Sequence, residues 1–313
     1  AGETSELLLR YLCKHPHRKL TVCNRSIERG SDLAEKFDAD FFQLRNLSSQ
    51  LAEYDLIFTA TSSETPIITL KMVEEALKTG LYDVVTVTHN ETTTGIMNPV
   101  YEIGQIVAKY PDVIYLVDAV SSLGGAKIEV DKSNIDICLA STQKCWGLPP
   151  GLAVASVSEK AIKRAETVEN RGFYLDLLNI VNRVKKDYQY PSTPSTPHMW
   201  ALDFQLDRII NKEGLQNRFD RHEQLADVVR AWAIKHFELY ALEGYRSNTV
   251  TTIMNTKGNS IGGLNKELAN RGFMISNGYG DLKEKAFRIA HMADRKLEDL
   301  QALLVEIEDI WNL

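Results

Sequence analysis

Two short apolar runs, each followed by a reactive side chain, constrain the fold of this chain more than any other feature. Residues 114–117 (IYLV) predict a buried parallel strand that ends at Asp118. Residues 135–140 predict a second strand, and the segment Ser-Thr-Gln-Lys that follows it ends at Lys144. Parallel strands of an open α/β sheet present their carboxyl ends, and their ligands, at one edge. The sequence therefore predicts an α/β fold with Asp118 and Lys144 at one sheet edge.

This pair of side chains suits a cofactor that carries both an aldehyde and a ring nitrogen. A lysine amine forms a Schiff base with an aldehyde, and a carboxylate holds the proton of a pyridinium ring. Pyridoxal phosphate (PLP) needs both groups. The spacing alone favours the plainer alternative, in which Asp118 and Lys144 are solvated residues at strand ends.

The surrounding sequence favours the cofactor. The segments VDAVSSLGG (117–125), STQK (141–144), GLPPG (147–151) and THNETTTGIMNP (88–99) resemble the class V aminotransferases, in particular the alanine–glyoxylate and serine–pyruvate group. The resemblance runs from about Leu70 to the C-terminus. It implies a fold-type I PLP-dependent transferase with a mostly parallel sheet, a small C-terminal α+β domain and a homodimeric assembly.

The resemblance also implies the roles of the site residues. Lys144 would form the Schiff base and then act as general base and acid, and Asp118 would pair with the pyridinium nitrogen. Arg288, in FRIAHM, matches the arginine that binds the substrate α-carboxylate, for which a planar guanidinium is suited. The other implied cofactor contacts are Thr92 with the phenolic oxygen, Val120 with the ring face, Gln143 with the phosphate, and Tyr190 and Thr193 with the phosphate of the second subunit. Without the resemblance, Thr92 is interpreted as a strand-end cap and residues 190–197 as a linker.

The first 69 residues resemble a different family. Helices are predicted at 4–15 and 26–37, and strands at 19–23, 41–44 and 55–60. The segments VCNRSIERGSDLAEKF and DLIFTATSSETPIIT resemble the NADP-binding domain of glutamyl-tRNA reductase, and Gly2, 24–26 and 59–63 match its nucleotide contacts. Because the sequence begins at Ala1, we expect no intact NADP site. The chain is interpreted as a chimera with a junction near residues 68–73.

The N-terminal unit still follows the element order of an aminotransferase. Gly2 and Thr4 lie where that family has a Gly-Ser-Gly-Thr turn, whose N–H groups bind the cofactor phosphate at a helix N-terminus. We therefore expect this unit to replace an aminotransferase unit within one sheet. Glu3 would compete with the phosphate, and Ile27 replaces the aromatic residue that stacks on the ring, so weak cofactor affinity and little turnover are expected. The predicted domains are 1–69, 70–215 and 216–313.

The composition is that of an ordinary globular protein, with 44% hydrophobic and 25% charged residues among 313. A net charge of −6 argues against a nucleic-acid partner. No apolar run approaches the ~20 residues that span a bilayer, and no secretory signal is present, so no membrane partner is expected. The four cysteines are widely spaced and indicate neither a disulfide framework nor a metal site. These observations predict a cytoplasmic protein.

The predicted function is PLP-dependent transamination between a small amino acid, alanine or serine, and a 2-oxo acid, glyoxylate or pyruvate. We expect the replaced N-terminal unit to impair it. Cysteine desulfurase chemistry is disfavoured because no cysteine lies in a convincing mobile loop. Two alternatives stay open: an NADP(H)-binding module built on residues 1–69, and a recombined or engineered α/β scaffold without activity.

Overall fold

A computed structural model describes residues 3–14, 19–61 and 63–313. The N-terminal unit begins with helix α1 (Glu3–Leu12) and a strand, a helix and a second strand: β1 (Thr21–Asn24), α2 (Ile27–Lys36) and β2 (Asp40–Gln43). The two strands are parallel and cover a small apolar core. A short helix, α3 (Leu47–Gln50), follows. These elements confirm the helix and strand order predicted up to residue 44.

The strand predicted at residues 55–60 is wrong. Leu56 and Phe58 are exposed while Ile57 packs into a small core, so the alternation of a strand is present. A strand also needs a neighbour that satisfies its N–H and C=O groups. No described residue supplies such a partner, and β1 and β2 likewise pair only with each other in the described ranges. The expected single continuous sheet is therefore not formed by backbone hydrogen bonds.

The central part of the chain forms the predicted parallel sheet. Its four strands lie side by side in the order β3 (Val84–Thr88), β6 (Ile114–Asp118), β7 (Ile137–Ser141) and β8 (Ala153–Val157). The first three are parallel and the last is antiparallel. Thr88 lies opposite Asp118, and Asp118 lies opposite Leu139, so the carboxyl ends of the first three strands meet at one edge. The elements of this part are α4 (Leu70–Lys78), β3 (Val84–Thr88), β4 (Asn90–Glu91), β5 (Ile96–Met97), α5 (Val100–Val107), β6 (Ile114–Asp118), β7 (Ile137–Ser141), β8 (Ala153–Val157) and α6 (Glu159–Glu166).

A buried carboxylate holds the middle of this sheet together. Asp136 accepts a hydrogen bond from the N–H of Tyr115 (2.9 Å) and from the hydroxyl of Ser158 (2.7 Å). It also forms an ion pair with Lys160 (2.8 Å). A buried charge is tolerated when it is paired and hydrogen-bonded in this way. The contacts tie β6 and the start of α6 to the turn before β7, and so fix the strands whose ends carry the predicted site residues.

The C-terminal part packs three helices against an antiparallel sheet. The strands of this sheet lie in the order β11 (Ser276–Asn277), β12 (Ala286–Ala290), β10 (Val250–Met254) and β9 (Glu238–Leu239). Helices α8 (Thr196–Asp207) and α9 (Leu215–His236) are separated by a π-helical turn (Arg208–Glu213) and Gly214, with φ +83°. No helix in the described part of the chain is both long enough and apolar enough to span a membrane. The elements are α7 (Leu177–Asp187), α8 (Thr196–Asp207), α9 (Leu215–His236), β9 (Glu238–Leu239), β10 (Val250–Met254), α10 (Ile261–Asn270), β11 (Ser276–Asn277), β12 (Ala286–Ala290) and α11 (Leu297–Trp311).

Candidate active site

The carboxylate of Asp118 is exposed at the end of β6, where the preceding apolar residues of the strand are buried. One of its oxygens accepts a hydrogen bond from the N–H of Val120 (2.9 Å), which fixes its orientation. Behind it, His89 donates its backbone N–H to the carbonyl of Asp118 (2.8 Å), and its ring Nδ1 lies 2.9 Å from Ser122 Oγ. Burial lowers the pKa of His89 to about 4, so the ring is neutral near pH 7. Asp118 is thus an open carboxylate on a rigid support.

Lys144 lies in a closed turn directly after β7. The hydroxyl of Thr142 donates to the carbonyl of Pro149 (2.9 Å), and the N–H of Leu148 donates to the carbonyl of Thr142 (3.0 Å). Among the described residues, the Lys144 ammonium group has no hydrogen-bond or ion-pair partner. Burial raises the pKa of the adjacent Cys145 to about 12, so this thiol stays protonated. The turn therefore presents one uncommitted amine at the same sheet edge as Asp118.

Arg288, on β12, reaches this edge from the C-terminal sheet. Its Nη1 donates to the carbonyl of Thr92 (3.0 Å), and its Nε and Nη2 donate to the carbonyl of Asn277 (3.2 and 3.0 Å). The ring of Tyr279 covers the guanidinium, whose carbon lies 4.1 Å from the ring centroid. The Arg288 guanidinium, and more weakly the charge of Lys144, lower the pKa of Tyr279. Lys144, Arg288 and Thr92 therefore belong to one region.

The loop that carries Thr92 is held from the same side. The hydroxyl of Thr252, on β10, donates to the carbonyl of Thr93 (3.3 Å). Gly95 has φ +69°, and a Cβ there would lie 3.1 Å from Thr252 Oγ1, so the loop and the strand are in close contact. The C-terminal sheet thus positions the loop through both of its central strands.

Several predicted site residues are not brought together within one chain. Gln143, Tyr190 and Thr193 are exposed, and the structure gives them no hydrogen bond to Lys144, Asp118 or Arg288 in the described ranges. The predicted role of Tyr190 and Thr193 requires a second subunit, so this arrangement agrees with their role without testing it. Gly2 and the side chain of Thr4 lie outside the described residues.

The residues that match a nucleotide site take part in a helix cap. Asn24 Oδ1 accepts from the N–H of Ser26 (3.1 Å), and Ser26 Oγ accepts from the N–H of Arg29 (3.3 Å) at the start of α2. Side-chain oxygens of this type normally cap helices. Their local bonds therefore account for the Asn-Arg-Ser segment without a nucleotide.

Two residues near the site were not predicted from the sequence, Tyr279 and Arg218. Tyr279 precedes the arginine strand in a glycine-rich turn and carries no local signal. Arg218 does carry one, because it lies on the buried stripe of α9 together with His222, Leu225 and Val229. A charged residue at an apolar position of a helix indicates a specific partner.

The polar groups at this edge fit the ring of PLP. Both side-chain polar atoms of Asn90, Thr94 Oγ1 and Ser141 Oγ are buried, and none has a hydrogen-bond partner in the described part of the chain. Such groups normally bind a partner. Asn90 and Thr94 flank Thr92, and Ser141 precedes Lys144 by three residues. Together with the unpaired amine and the open carboxylate, they suit a polar ring that bears an aldehyde.

Comparisons with known proteins identify the family of this chain. The family model "Aminotransferase class-V" matches residues 50–283, and the model "Shikimate / quinate 5-dehydrogenase" matches residues 1–87. An uncharacterized aminotransferase of Methanocaldococcus jannaschii is 42% identical over 227 residues, which cover 72% of this chain and 58% of that protein. The L-aspartate–glyoxylate aminotransferase of Paracoccus denitrificans is 33% identical over 233 residues, 70% of this chain and 56% of that protein.

The structural likeness extends over the N-terminal unit as well. The alanine–glyoxylate aminotransferase of Nostoc sp. has a TM-score of 0.73 at 23% identity and covers 99% of this chain and 80% of its own. The pyridoxamine–pyruvate aminotransferase of Mesorhizobium loti has a TM-score of 0.71 at 24% identity and covers 99% and 78%. The chain spans less than two thirds of the length of the curated relatives named above. It belongs to the class V aminotransferases.

Proposed function

We propose that this chain carries out PLP-dependent transamination between a small amino acid, alanine or serine, and a 2-oxo acid such as glyoxylate or pyruvate. The observation that carries the proposal is the unpaired amine of Lys144 at the same sheet edge as the oriented carboxylate of Asp118. Class V aminotransferases depend on PLP, which supplies an aldehyde for the amino group and a ring that accepts an electron pair.

Lys144 and Asp118 would act on two different protons of the reaction. The Nζ of Lys144, when neutral, would act as general base toward the substrate α-carbon and then as general acid. The carboxylate of Asp118, which the N–H of Val120 keeps in place, would hold the proton of the pyridinium nitrogen. Both tasks need the two side chains at one edge, which the register of β6 and β7 supports.

Arg288 binds the substrate carboxylate. Three of its five N–H groups donate to the carbonyls of Thr92 and Asn277, so at most two remain for a ligand. Arg288 is 7% exposed, so water competes little with a bound carboxylate for its N–H groups. Tyr279 covers the guanidinium and limits the room for a large substrate side chain. The name of the Paracoccus denitrificans relative includes glyoxylate, which supports glyoxylate as the 2-oxo acid.

The active form is a homodimer. Tyr188, Tyr190, Trp200 and Phe204 are exposed by 89%, 41%, 76% and 62%, and large exposed apolar surface is typical of an interface. Tyr190 and Thr193 would lie close to this surface and contact the cofactor phosphate of the second subunit. All four cysteines are free, as in a reducing compartment, and we propose a cytoplasmic location.

Single-turnover transfer tests the proposal. The protein is incubated with PLP, L-alanine and glyoxylate, and pyruvate and glycine are measured against PLP alone. We expect both products from the parent and a loss of at least ~100-fold in Lys144→Ala, because the proton carrier is gone. Equal transfer by the parent and by PLP alone contradicts the proposal. Asp118→Asn, which keeps the shape of the side chain and removes its charge, separates the role of the carboxylate.

A further inference from the structure

Arg218 is a fully buried arginine on α9 that contacts the segments of three proposed site residues. We propose that Arg218 is a positioning residue that fixes the segments of Asp118, Lys144 and Arg288 relative to one another; the inference rests on the proposed function. It adds a residue that lies outside the cofactor and substrate contacts.

The guanidinium donates in three directions. Nε donates to the carbonyl of Gly124 (2.8 Å), and Nη2 donates to the carbonyl of Cys145 (2.6 Å). Nη1 contacts the carboxylates of Glu213 (2.7 Å) and Asp294 (3.1 Å). Cys145 is the residue after Lys144, so this bond acts one peptide away from the proposed catalytic amine.

Gly124 and Asp294 also lie only a short distance along the chain from a proposed site residue. Gly124 follows Asp118 by six residues, and turns closed by the N–H groups of Ser122 and Leu123 on the carbonyl of Ala119 leave little freedom between them. Asp294 follows Arg288 by six residues, beyond the end of β12. One side chain therefore bridges two loops of the parallel sheet and the segment that follows β12 in the C-terminal sheet.

The loop that contains Gly124 and Gly125 is in close contact with the turn that contains Cys145 and Trp146, so a small shift of one of them moves the other. A Cβ on Gly125 would lie 2.7 Å from Cys145 Sγ, and a Cβ on Gly124 would lie 2.7 Å from Trp146 Cδ1. Arg218 closes this contact on the side of α9 through the two carbonyls. If its donors were lost, both carbonyls would be left without the bond that joins them.

Lysine cannot replace the planar fork. A guanidinium donates along several fixed directions, whereas an ammonium group is one point charge on a flexible stem. The carboxylates of Glu213 and Asp294 balance the buried charge, which explains why the arginine is tolerated at 0% exposure. Arg218→Lys therefore keeps the charge and removes the bridging geometry.

Arg221, one turn further along α9, is a matched control. It donates to Glu213 (2.7 Å), to the carbonyl of Ala293 (3.0 Å) and to that of Arg295 (2.8 Å). It thus shares the carboxylate partner and the segment around Asp294. It makes no hydrogen bond to Gly124 or Cys145, so Arg221→Lys disturbs the same region and leaves in place the two bonds that join the loops.

Amide hydrogen exchange of the full chain without cofactor is the first measurement. We expect Arg218→Lys to raise exchange by about tenfold at 119–126 and 144–148, because the bond between the loops is lost. Arg221→Lys should leave both segments within about twofold of the parent, since it touches neither. Equal exchange of the parent and Arg218→Lys at these segments overturns the inference, as does an equal rise in both variants.

The second measurement is the pH profile of the visible band that added PLP gives. We expect Arg218→Lys to shift its midpoint by about one pH unit and to weaken PLP binding about tenfold, because the amine is displaced from the carboxylate. Arg221→Lys should keep the profile of the parent. Changed exchange with an unchanged profile makes Arg218 merely structural and overturns the inference. A parent without any band contradicts the proposed function instead, and the exchange result then decides about Arg218 alone.

Discussion

At the scale of single residues, Tyr279 is the side chain whose effect on the proposed substrate site is easiest to measure. Its ring is 61% exposed, yet it covers the guanidinium of Arg288, which is 7% exposed. A cation on an aromatic face gains ~0.5–2 kcal/mol. The ring therefore restrains the Arg288 guanidinium, which is the group proposed to bind the substrate carboxylate.

Tyr279→Ala should raise the KM for the amino acid by about threefold to thirtyfold, which is the change in binding constant that corresponds to the free energy of that contact. The kcat should change less, because Lys144 and Asp118 are untouched. Tyr279→Phe keeps the ring and should stay within about twofold of the parent. Steady-state kinetics of all three proteins is the measurement. An equal KM for the Ala and Phe variants would show that the ring has no such role.

Buried histidines set the acid limit of stability. Burial lowers the pKa of His89 and His222 to about 4 and that of His291 to about 3. The unfolded chain takes up protons below about pH 6.5, where the folded chain does not, so the free energy of unfolding falls as the pH falls. Each histidine contributes a slope of up to ~1.4 kcal/mol per pH unit between about pH 6.5 and its folded pKa.

His291→Gln should flatten that slope, because glutamine does not take up a proton and still offers an amide to Thr251, whose hydroxyl lies 2.9 Å from the ring. Urea unfolding at pH 7.5, 6 and 5 measures it. We expect the variant to lose less free energy over this range than the parent, even if it is less stable at pH 7.5. Parallel pH dependences would rule out His291 as a contributor.

The sequence predicted Asp118, Lys144 and Arg288, and it missed Tyr279 and Arg218. The first three lie in short motifs whose wording is contiguous along the chain. The bonds of Arg218 join residues 94 and 73 positions apart, and no local pattern specifies which carbonyls will face a buried arginine. The candidate residues could therefore be named from the sequence, whereas the contacts that support them required the tertiary structure.

At the scale of elements, the apolar pattern predicted strands at 114–117 and 55–60, and only the first of them forms. The strand at 114–117 became β6 and pairs with β3, whereas residues 55–60 have no strand partner among the described residues. The pattern predicts which face of a segment is buried, and the neighbouring segments decide whether a strand is paired. The break between α8 and α9 has a local cause, since φ +83° at Gly214 favours glycine.

Helix α5 depends on one glycine for its close approach to the turn before β7. A Cβ on Gly104 would lie 1.8 Å from the carbonyl oxygen of Ser133. Gly104→Ala gains up to ~1 kcal/mol of helix propensity, but the clash with rigid backbone should cost more. We expect a net loss of ~1–3 kcal/mol in the free energy of unfolding, measured with urea.

Gly262 on α10 is the control for this prediction. A Cβ there would meet Glu284 Oε1 at 3.6 Å, an ordinary contact. Gly262→Ala should therefore be neutral or stabilise by up to ~1 kcal/mol. A Gly104→Ala protein as stable as Gly262→Ala would contradict the close contact at α5.

At the scale of the whole molecule, the N-terminal part of an aminotransferase fold also matches a dehydrogenase family model. The solved aminotransferases cover 99% of the chain, although the class V model matches only from residue 50 onward. Arg29 on α2 and Asp281 before β12 form an ion pair (3.1 Å) across these parts. We expect this unit to support the fold and to bind the cofactor phosphate weakly, because Glu3 lies at the predicted phosphate turn.

The most direct test of the account is where PLP attaches. The protein is incubated with PLP, reduced with borohydride, digested and mapped by mass spectrometry, with Lys144→Ala treated in parallel. We expect one dominant pyridoxyl group, on Lys144, and no dominant site in the variant, because the other lysines have no oriented carboxylate partner for the ring. Labelling spread over surface lysines, alike in both proteins, would contradict the assignment of this site as a PLP site.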